Sequence, residues 1–280
     1  MQTIYGIMDA ILPFSFLKYD FMKNAFLAML LLTPMLALLG TMAVSQKMAF
    51  FSDALGHSAL AGIGLGILLG SQSDLVSMLV FGVVWALLIG YVKQHGTSSS
   101  DTVISVFSSV SIALGLLILS RGGGFAKYST LLVGDVLSVT PSDILWLLLA
   151  LAGVAAVWVL LYNRFLLTAL NEPLAMSRGV GTKSMDYLFM VIVAIAVMLC
   201  IKWVGVLLIN ALLILPAAAA RNVTRSSRSY TFLSVIISVV SGVLGLVLSY
   251  SINASAGSAV VLVSAVFYFA CLAVRRFRPL

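Results

Sequence analysis

The stretch FSDALGHSALAGIGLG, at residues 51–66, begins an apolar run that is long enough to cross a membrane. Its entrance carries a carboxylate and an imidazole, Asp53 and His57. On a helix, this spacing of four residues places both side chains on one face, about one turn apart. Because ionisable groups are costly inside a bilayer, the pair is a functional-site hypothesis from the outset. A carboxylate with an imidazole also suits zinc or a neighbouring first-row metal ion.

The composition places the whole chain in a membrane. Of its 280 residues, 62% are hydrophobic and 9% are charged, and the mean hydropathy is +1.16. A soluble domain carries about 25% charged residues, so we predict an all-α polytopic membrane protein with a single transmembrane domain over residues 1–280. Cys200 and Cys271 both lie in apolar runs, which argues against a disulfide framework. The net charge of +7 is spread over short loops, which indicates membrane topology rather than nucleic-acid binding.

Apolar runs of about the length that a bilayer crossing needs recur along the chain. Nine are found, but the boundary between the sixth and the seventh rests on Lys202 and Trp203 alone, so eight crossings remain an alternative. Residues 1–23 mix charged residues with aromatic and aliphatic ones, and predict a segment that lies on the membrane interface. The nine runs are 24–44, 53–70, 75–92, 102–120, 143–162, 187–201, 203–220, 230–250 and 257–274.

The distribution of lysine and arginine predicts the orientation of the spans. With nine crossings and the N-terminus outside, 11 of the 16 basic residues fall in cytoplasmic loops and 5 fall outside. This bias places the C-terminus in the cytoplasm. The five external residues are Lys18, Lys23, Arg121, Lys127 and Lys202.

The helical face that carries the pair continues with small residues. Ala61 and Gly64 follow Asp53 and His57 on one stripe, and a stripe without bulk predicts a narrow path for an ion. Two ligands do not fill a tetrahedral site, so water, a partner subunit or another span must supply the rest. The alternative is that Asp53 sits in the interface near Lys47 while His57 caps a neighbouring helix.

Other residues of the spans predict packing and bending. Ser58, Gly62 and Gly66 form a row of small residues that lets another helix approach closely. Asn210 lies near the middle of the seventh run, where it either bonds across helices or borders the ion path. Pro216 removes a backbone hydrogen bond and predicts a kink in the same run.

Two of the loops contain further signals. In the predicted cytoplasmic loop 163–185, Asn171 suits an N-cap and Gly179 a C′ position, so we expect a short helix that is stabilised by docking on a cytoplasmic partner. In the outer loop 121–142, residues 131–141 are too short to span and predict a re-entrant or interfacial segment. Asp135 in that segment either meets an incoming cation or acts as a cap.

Signatures of enzymes are missing from the sequence. The nearest match to a phosphate-binding loop, residues 179–184, has Thr182 where a glycine must precede the lysine. No His-Glu-x-x-His and no Gly-x-Ser-x-Gly motif is found. The chain therefore does not hydrolyse ATP alone, and we expect it not to be an enzyme.

Four blocks, in order along nearly the whole chain, resemble the permease subunits of bacterial ABC importers for zinc and manganese. The resemblance implies the permease fold of type II-like importers in the bacterial cytoplasmic membrane. It also implies a homodimer, two cytoplasmic ATPase subunits and an extracytoplasmic metal-binding protein, with membrane lipid around the spans and no resident cofactor. The four blocks are residues 52–58, residues 133–139, residues 172–179 and residues 204–221, the last of which ends in LPAAAAR.

The same resemblance implies roles for particular residues. Asp53 and His57 coordinate the ion during its passage. Asp135, Asn210 and Pro216, singled out above from the residues themselves, are further candidate positions for the pathway or a gate. The short helix of the 163–185 loop becomes the coupling helix that rests on the ATPase. Its implied coupling residues are Asn171, Glu172, Leu174, Ala175, Arg178 and Gly179.

The identity of the ion is less sharply indicated. Residues 202–205 and 137–143 resemble zinc-type members, which favours zinc over manganese as the transported ion. The alanine at the fourth position of PAAAA and Asn210 depart from the usual pattern of the family. A proton-coupled secondary metal transporter is the alternative function, and an intramembrane metalloenzyme, which would need more ligands, is a more distant one.

Overall fold

The computed structural model describes Tyr5, residues 19–121, Tyr128 and residues 130–277, and no strand occurs among these residues. Of the predicted interfacial segment 1–23, only Tyr5 and the last residues lie within this part, where the first helix already begins at Asp20. The remainder of that prediction lies outside the described residues. The all-α fold predicted from the composition is confirmed.

Ten α-helices form the described structure, and eight of them are long and apolar enough to cross a membrane. Two short helices and a 3₁₀ turn, Val136–Ser138, lie between the long ones. The ten helices are α1 Asp20–Ser45, α2 Phe51–Leu68, α3 Asp74–His95, α4 Ser100–Arg121, α5 Thr130–Val133, α6 Pro141–Leu170, α7 Glu172–Ser177, α8 Thr182–Val223, α9 Ser227–Ile252 and α10 Ala256–Phe277.

Helix α8 is broken by a reversal at Gly205. This residue has φ 76° and ψ 161°, a region of backbone space that is essentially restricted to glycine. A straight helix would place Asp186 and Arg221 about 50 Å apart. Instead, both lie near the end of α1: the Nη1 of Arg221 donates to the carbonyl of Val44, in the last turn of α1, at 3.2 Å. Asp186 binds Lys93, whose Nζ also donates to the Sδ of Met48, three residues beyond α1.

The two limbs of α8 therefore run antiparallel, and each is long enough to cross a bilayer. Counted this way, the described residues contain nine crossing segments, in agreement with the nine runs of the sequence. The break lies a few residues beyond the predicted boundary at Lys202 and Trp203. The second limb stays helical through Pro216 and ends at Val223, so the proline does not end the helix.

The reversal defines one end of the bundle, which we call the glycine end. Here the segment that contains α5 packs directly on the turn of α8, backbone against backbone. A Cβ added to Gly134 would lie 2.1 Å from the carbonyl oxygen of Val204, and one added to Gly205 would lie 2.4 Å from the amide nitrogen of Gly134. Gly134 also has a positive φ of 74°. Only glycine fits at both positions.

The opposite end, which we call the arginine end, gathers the ends of α1 and α8 and the start of α9. Helix α7 lies at this end too, because the carboxylate of Glu172 accepts from the hydroxyl of Thr182, at the start of α8, at 3.1 Å. The predicted loop 163–185 is shorter than expected. Helix α6 continues to Leu170 and α8 begins at Thr182, so the connection spans only residues 171–181.

Helix α2 lies at the centre of the bundle, surrounded by α3, α4 and α8. The small residues of α2 make this possible: a Cβ on Gly62 would meet Met78 and Phe81 of α3 at 3.0–3.2 Å. On Gly66, a Cβ would lie 2.2 Å from the Oγ of Ser77. The predicted packing role of this row is confirmed, since α3 approaches α2 along it.

Candidate metal-binding site

The pair at the start of α2 is the one interruption in an otherwise buried surface. Over residues 51–64, every residue is buried except Asp53 and His57, which are partly exposed. Their side chains keep 41% and 24% of their accessible surface. The helix is thus covered by its neighbours everywhere along this stretch except on the face that carries the two ionisable groups.

The distance between the two groups fits joint coordination of one ion. The Nε2 of His57 lies 3.5 Å from the Oδ1 of Asp53. Two ligand atoms at tetrahedral angles around zinc, each about 2.0–2.1 Å from the ion, are about 3.3 Å apart. The backbone of a single helix turn therefore holds both donor atoms close to the separation that a bound ion requires.

Asp53 is held in place by two other helices. Asn210, on the second limb of α8, donates from its Nδ2 to the Oδ1 of Asp53 at 2.8 Å. Ser108, on α4, donates its hydroxyl to the Oδ2 of Asp53 at 3.4 Å. The alternative that placed Asp53 in the interface near Lys47 is therefore wrong, since its carboxylate contacts the interior of the bundle.

These contacts also fix the depth of the site. Ser108 lies eight residues, or about 12 Å, inside α4 from the arginine end. Asn210 lies thirteen residues, or about 20 Å, from the end of α8 at Val223. Because the hydrocarbon core is about 30 Å thick, Asp53 lies deep in the bundle although it belongs to the first turn of its own helix.

The rest of the predicted stripe does not line a path in this structure. Ala61 is fully buried, and a Cβ on Gly115 of α4 would lie 3.0 Å from its amide nitrogen. A Cβ on Gly64 would lie 3.0 Å from Ile118 of the same helix. The expectation of an open face along Ala61 and Gly64 is wrong, because α4 covers it.

Few further ligands of the usual kinds lie near the pair. Within the described part of the chain, no three His, Cys, Asp or Glu side chains form a group that could hold a metal ion. The Oδ1 of Asn210 is buried and has no hydrogen-bond partner, so this residue offers a free oxygen beside Asp53. Of the two alternatives for Asn210, the structure shows bonding across helices, through the hydrogen bond to Asp53.

The position of Asp135 agrees with the capping alternative. Its side chain accepts from the backbone N–H of Leu137 at 3.0 Å and begins the 3₁₀ turn. The surrounding segment is not membrane-spanning but is docked at the glycine end, through Gly134. Asp135 thus acts as a cap beside the turn of α8, and its printed hydrogen-bond partner is the backbone of its own segment.

The predicted short helix is present as α7. Asn171 caps it by accepting from the N–H of Leu174 at 3.1 Å. At the other end Gly179, with φ 73°, and Val180 donate their N–H groups to the carbonyls of Met176 and Ala175, the Schellman arrangement. Ala175 is buried, while Arg178 at the C-cap is exposed.

The outer face of α7 is apolar. Leu174 is 41% exposed and Met176 is 57% exposed, and Leu170 just before the helix is 70% exposed. The short helix thus presents methyl and thioether groups at the tip of the arginine end, clear of the bundle. An exposed apolar surface of this kind on a loop is typical of a docking site for another protein.

An all-helical bundle with spans of membrane-crossing length, and with a carboxylate and an imidazole deep in its interior, defines a polytopic membrane protein with a candidate metal-binding site. A comparison with protein families assigns the chain to one class of membrane protein. The chain belongs to the ABC 3 transport family, whose model matches residues 18–275. The family assignment that the four sequence blocks predicted is therefore confirmed.

Curated relatives and a solved structure agree with the family. The manganese import system permease protein ScaB of Streptococcus parasanguinis is 34% identical, with 90% of this chain and 89% of that protein covered. The high-affinity zinc uptake system membrane protein ZnuB of Haemophilus influenzae is 29% identical, with 89% and 96% covered. The structure of PsaBC from Streptococcus pneumoniae in complex with Fab matches with a TM-score of 0.79 and 28% identity, covering 97% of this chain and 95% of that one.

Sequence reasoning missed Ser108 entirely. It lies in an apolar helix beside Ser109, and serines of this kind in a span give no signal of their own. Its contact appears only in the folded structure, where α4 packs against α2 and the hydroxyl of Ser108 reaches Asp53. Asn210 was singled out as a polar residue in mid-span, but its partner could not be derived from the sequence.

Proposed function

We propose that this chain is the permease subunit of an ATP-driven importer, and that Asp53 and His57 bind a divalent transition metal in passage. The observation that carries the proposal is the pair itself: two donor atoms 3.5 Å apart, partly exposed on a buried helix at depth. Asn210 and Ser108 orient the carboxylate by hydrogen bonds, which keeps one face of the pair available to the ion.

An incomplete set of ligands suits transport. An ion that found four strong ligands in one chain would be slow to leave, whereas conduction requires binding that is weak enough for release. We propose a homodimer in which the second copy or water completes the coordination shell. The exposed fraction of both side chains is the surface through which such further ligands reach the ion.

Energy would come from partner subunits. Importer permeases of this family work with an ATPase and a substrate-binding protein, and the apolar tip formed by Leu174 and Met176 is our proposed contact with the ATPase. We assign two cytoplasmic ATPases to the dimer and a metal-binding protein to its outer face. The arginine end then faces the cytoplasm, as the bias of lysine and arginine in the sequence predicts.

Zinc is our preferred cargo, with manganese as the competitor. An imidazole nitrogen beside a carboxylate is a common zinc set, whereas manganese favours ligand sets built from oxygen. The names of the relatives include both metals, so they do not choose between them. The free oxygen of Asn210 would serve either ion.

The test is ATP-dependent uptake of zinc and of manganese into vesicles that contain this chain and its partner ATPase. Asp53→Asn and His57→Gln preserve shape while removing a charge or a ligand nitrogen, and each should reduce uptake about 100-fold or more. Matched controls are Asp101→Asn and His95→Gln, because Asp101 and His95 are exposed at helix ends. The controls should transport at the rate of the unmodified protein.

Three results would refute parts of the proposal. Normal uptake by both site variants would remove the metal role of the pair. Uptake that a pH gradient drives without ATP would restore the proton-coupled alternative, which the family assignment does not support. A faster and tighter uptake of manganese than of zinc would overturn the preference for zinc while leaving the site intact.

A further inference from the structure

A cavity at the arginine end is lined by three arginines. Arg221 and Arg225 reach it from the end of α8 and the connection to α9, and Arg275 from the last turns of α10. The cavity has a volume of about 530 Å³ and joins a second one through Arg221, Thr224 and Arg225. Its remaining lining residues are Val44, Ala218, Asn222 and Tyr268.

The positive charge of this cavity is not balanced by the described residues that line it. Among the described residues, no acidic side chain lines either cavity. Arg221 donates to the carbonyl of Val44, and Arg275 donates to the Oδ1 of Asn222 at 3.1 Å. Each guanidinium has five N–H donors, so most of them remain available to a ligand. The cavity therefore offers convergent donors and a net charge that suit a phosphate group.

The start of α9 adds to the same potential. Ser226 caps this helix by accepting from the N–H of Ser229, and both Ser226 and Ser227 line the adjoining cavity. The dipole of the long helix places partial positive charge at this point, which favours an anion nearby. The arginines supply full charges, and the helix start strengthens their field.

Next to the arginines lies an apolar surface. Arg275 also borders a shallow depression on α10 that is formed mainly by Phe269, Leu272 and Phe277. These three side chains are 64%, 41% and 83% exposed. A helix that spans a membrane presents such residues to lipid chains. A ligand that fills both features must be charged at one end and apolar along the other.

We propose that the arginine cavity binds the headgroup phosphate of an anionic phospholipid, whose acyl chains lie along the outer face of α10. The contact between cavity and apolar surface at Arg275 favours a lipid over a soluble anion or an acidic protein, neither of which would use Phe269 and Leu272. Basic pockets between helices at the membrane surface are suited to such headgroups. This inference is independent of the transported ion and of the proposed metal site.

The bound lipid would tie together helices that are distant in sequence. Arg221 contacts the end of α1, and Arg275 contacts Asn222 of α8. A phosphate shared by the two guanidinium groups would link the ends of α1, α8 and α10 at the membrane surface. The site would thereby stabilise the arginine end of the bundle.

The test measures the lipid that the purified full chain retains, by native mass spectrometry after reconstitution in nanodiscs. Nanodiscs of phosphatidylglycerol are compared with nanodiscs of phosphatidylcholine. The variant R225Q/R275Q should retain about tenfold less phosphatidylglycerol than the unmodified chain, because it loses two phosphate contacts. R164Q/R228Q is the matched control, since it removes the same charge from exposed arginines outside the cavity, and it should retain lipid normally.

The single variant R225Q guards against misfolding, because Arg225 makes no hydrogen bond or ion pair within the described residues. It should retain about threefold to fivefold less phosphatidylglycerol, with unchanged thermal stability in detergent. Equal retention by the unmodified chain and R225Q/R275Q would overturn the proposal. So would equal retention of the two lipids, or full displacement of phosphatidylglycerol by inorganic phosphate at millimolar concentration.

Discussion

The two ends of this bundle are built on opposite principles. At the glycine end, the turn of α8 and the segment at Gly134 touch backbone to backbone, and no side chain separates them. At the arginine end, helices stop short of one another and leave cavities lined by guanidinium groups, while α7 extends outward with apolar side chains. At the glycine end, the backbones lie too close together to admit an added atom. The arginine end has open cavities and positive charge that partners can occupy.

This contrast indicates where motion and recognition belong. A close-packed contact between two glycines has one arrangement, because a shift of either backbone breaks it. Exposed apolar groups and unpaired donors can meet different occupants without rebuilding the fold. The metal-binding pair lies between the two ends, and it is held by Asn210 from the limb that starts at the glycine end.

The largest effect on stability is expected for Gly134→Ala, which tests whether the glycine end is closed. A Cβ here would overlap the carbonyl of Val204, and the positive φ disfavours any side chain. We expect a loss of about 3 kcal/mol or more of stability, seen as little folded protein in detergent by size-exclusion chromatography and thermal unfolding.

Two other glycines serve as its controls. Gly179 at the arginine end has a positive φ but nothing within 4 Å of an added Cβ, so Gly179→Ala should cost only about 1 kcal/mol. Gly153 lies within α6, also with open space around it, so Gly153→Ala should be neutral or slightly stabilising. Equal stability of all three variants would show that the glycine end is not tightly closed.

The next effect concerns the apolar tip of the arginine end. The double variant L174S/M176S removes the exposed apolar groups of α7 but leaves its caps intact. We expect at least about tenfold less ATP-driven uptake, because polar groups replace the hot-spot contacts of the proposed ATPase interface. Thermal stability should hardly change. L69S removes a leucine that is 85% exposed just after α2, away from the short helix, and it should transport normally; an equal loss there would point to a general effect of lower hydrophobicity.

A smaller effect is expected at the residue that links the site to the glycine end. Asn210→Leu keeps the volume but removes the 2.8 Å hydrogen bond to Asp53. Since partners that orient a metal ligand typically contribute a factor of about 10 to 100 to affinity, uptake should need about tenfold more metal to reach half its maximal rate. An unchanged concentration dependence would remove Asn210 from the site.

The smallest effect is expected for Ser108→Ala. Its hydroxyl reaches Asp53 only at 3.4 Å, near the limit of a hydrogen bond. A change of about twofold to threefold in the same half-maximal concentration is expected. A loss larger than that of Asn210→Leu would mean that α4, rather than α8, positions the carboxylate.

Features with local causes could be predicted from the sequence. The caps of α7 follow from Asn171 and Gly179, because each acts on backbone groups within a few residues. The shared face of Asp53 and His57 follows from helix geometry alone. The spans follow from hydropathy, since the bilayer sets their length.

Features that depend on distant residues could not be predicted. The depth of Asp53 depends on which helices surround α2, whereas the sequence shows only that the pair stands at the entrance of an apolar run. The break of α8 depends on Gly205, which looks like an ordinary glycine in an apolar run until Gly134 is placed against it. In the sequence, the charge of Lys202, which is exposed beside the turn, marked the boundary between two spans. The break itself is made by Gly205, which has no side chain.

The reversal at Gly205 also bears on how the chain is made. The two limbs are joined by a single non-helical residue and have no polar loop between them, so they enter a bilayer most readily together, as one helical hairpin. This hairpin carries Lys202 across as its only charge near the turn. The segment around Gly134 is synthesised earlier but reaches its place only when this hairpin exists. Assembly of the glycine end therefore waits for residues made much later, which gives its biogenesis a fixed order.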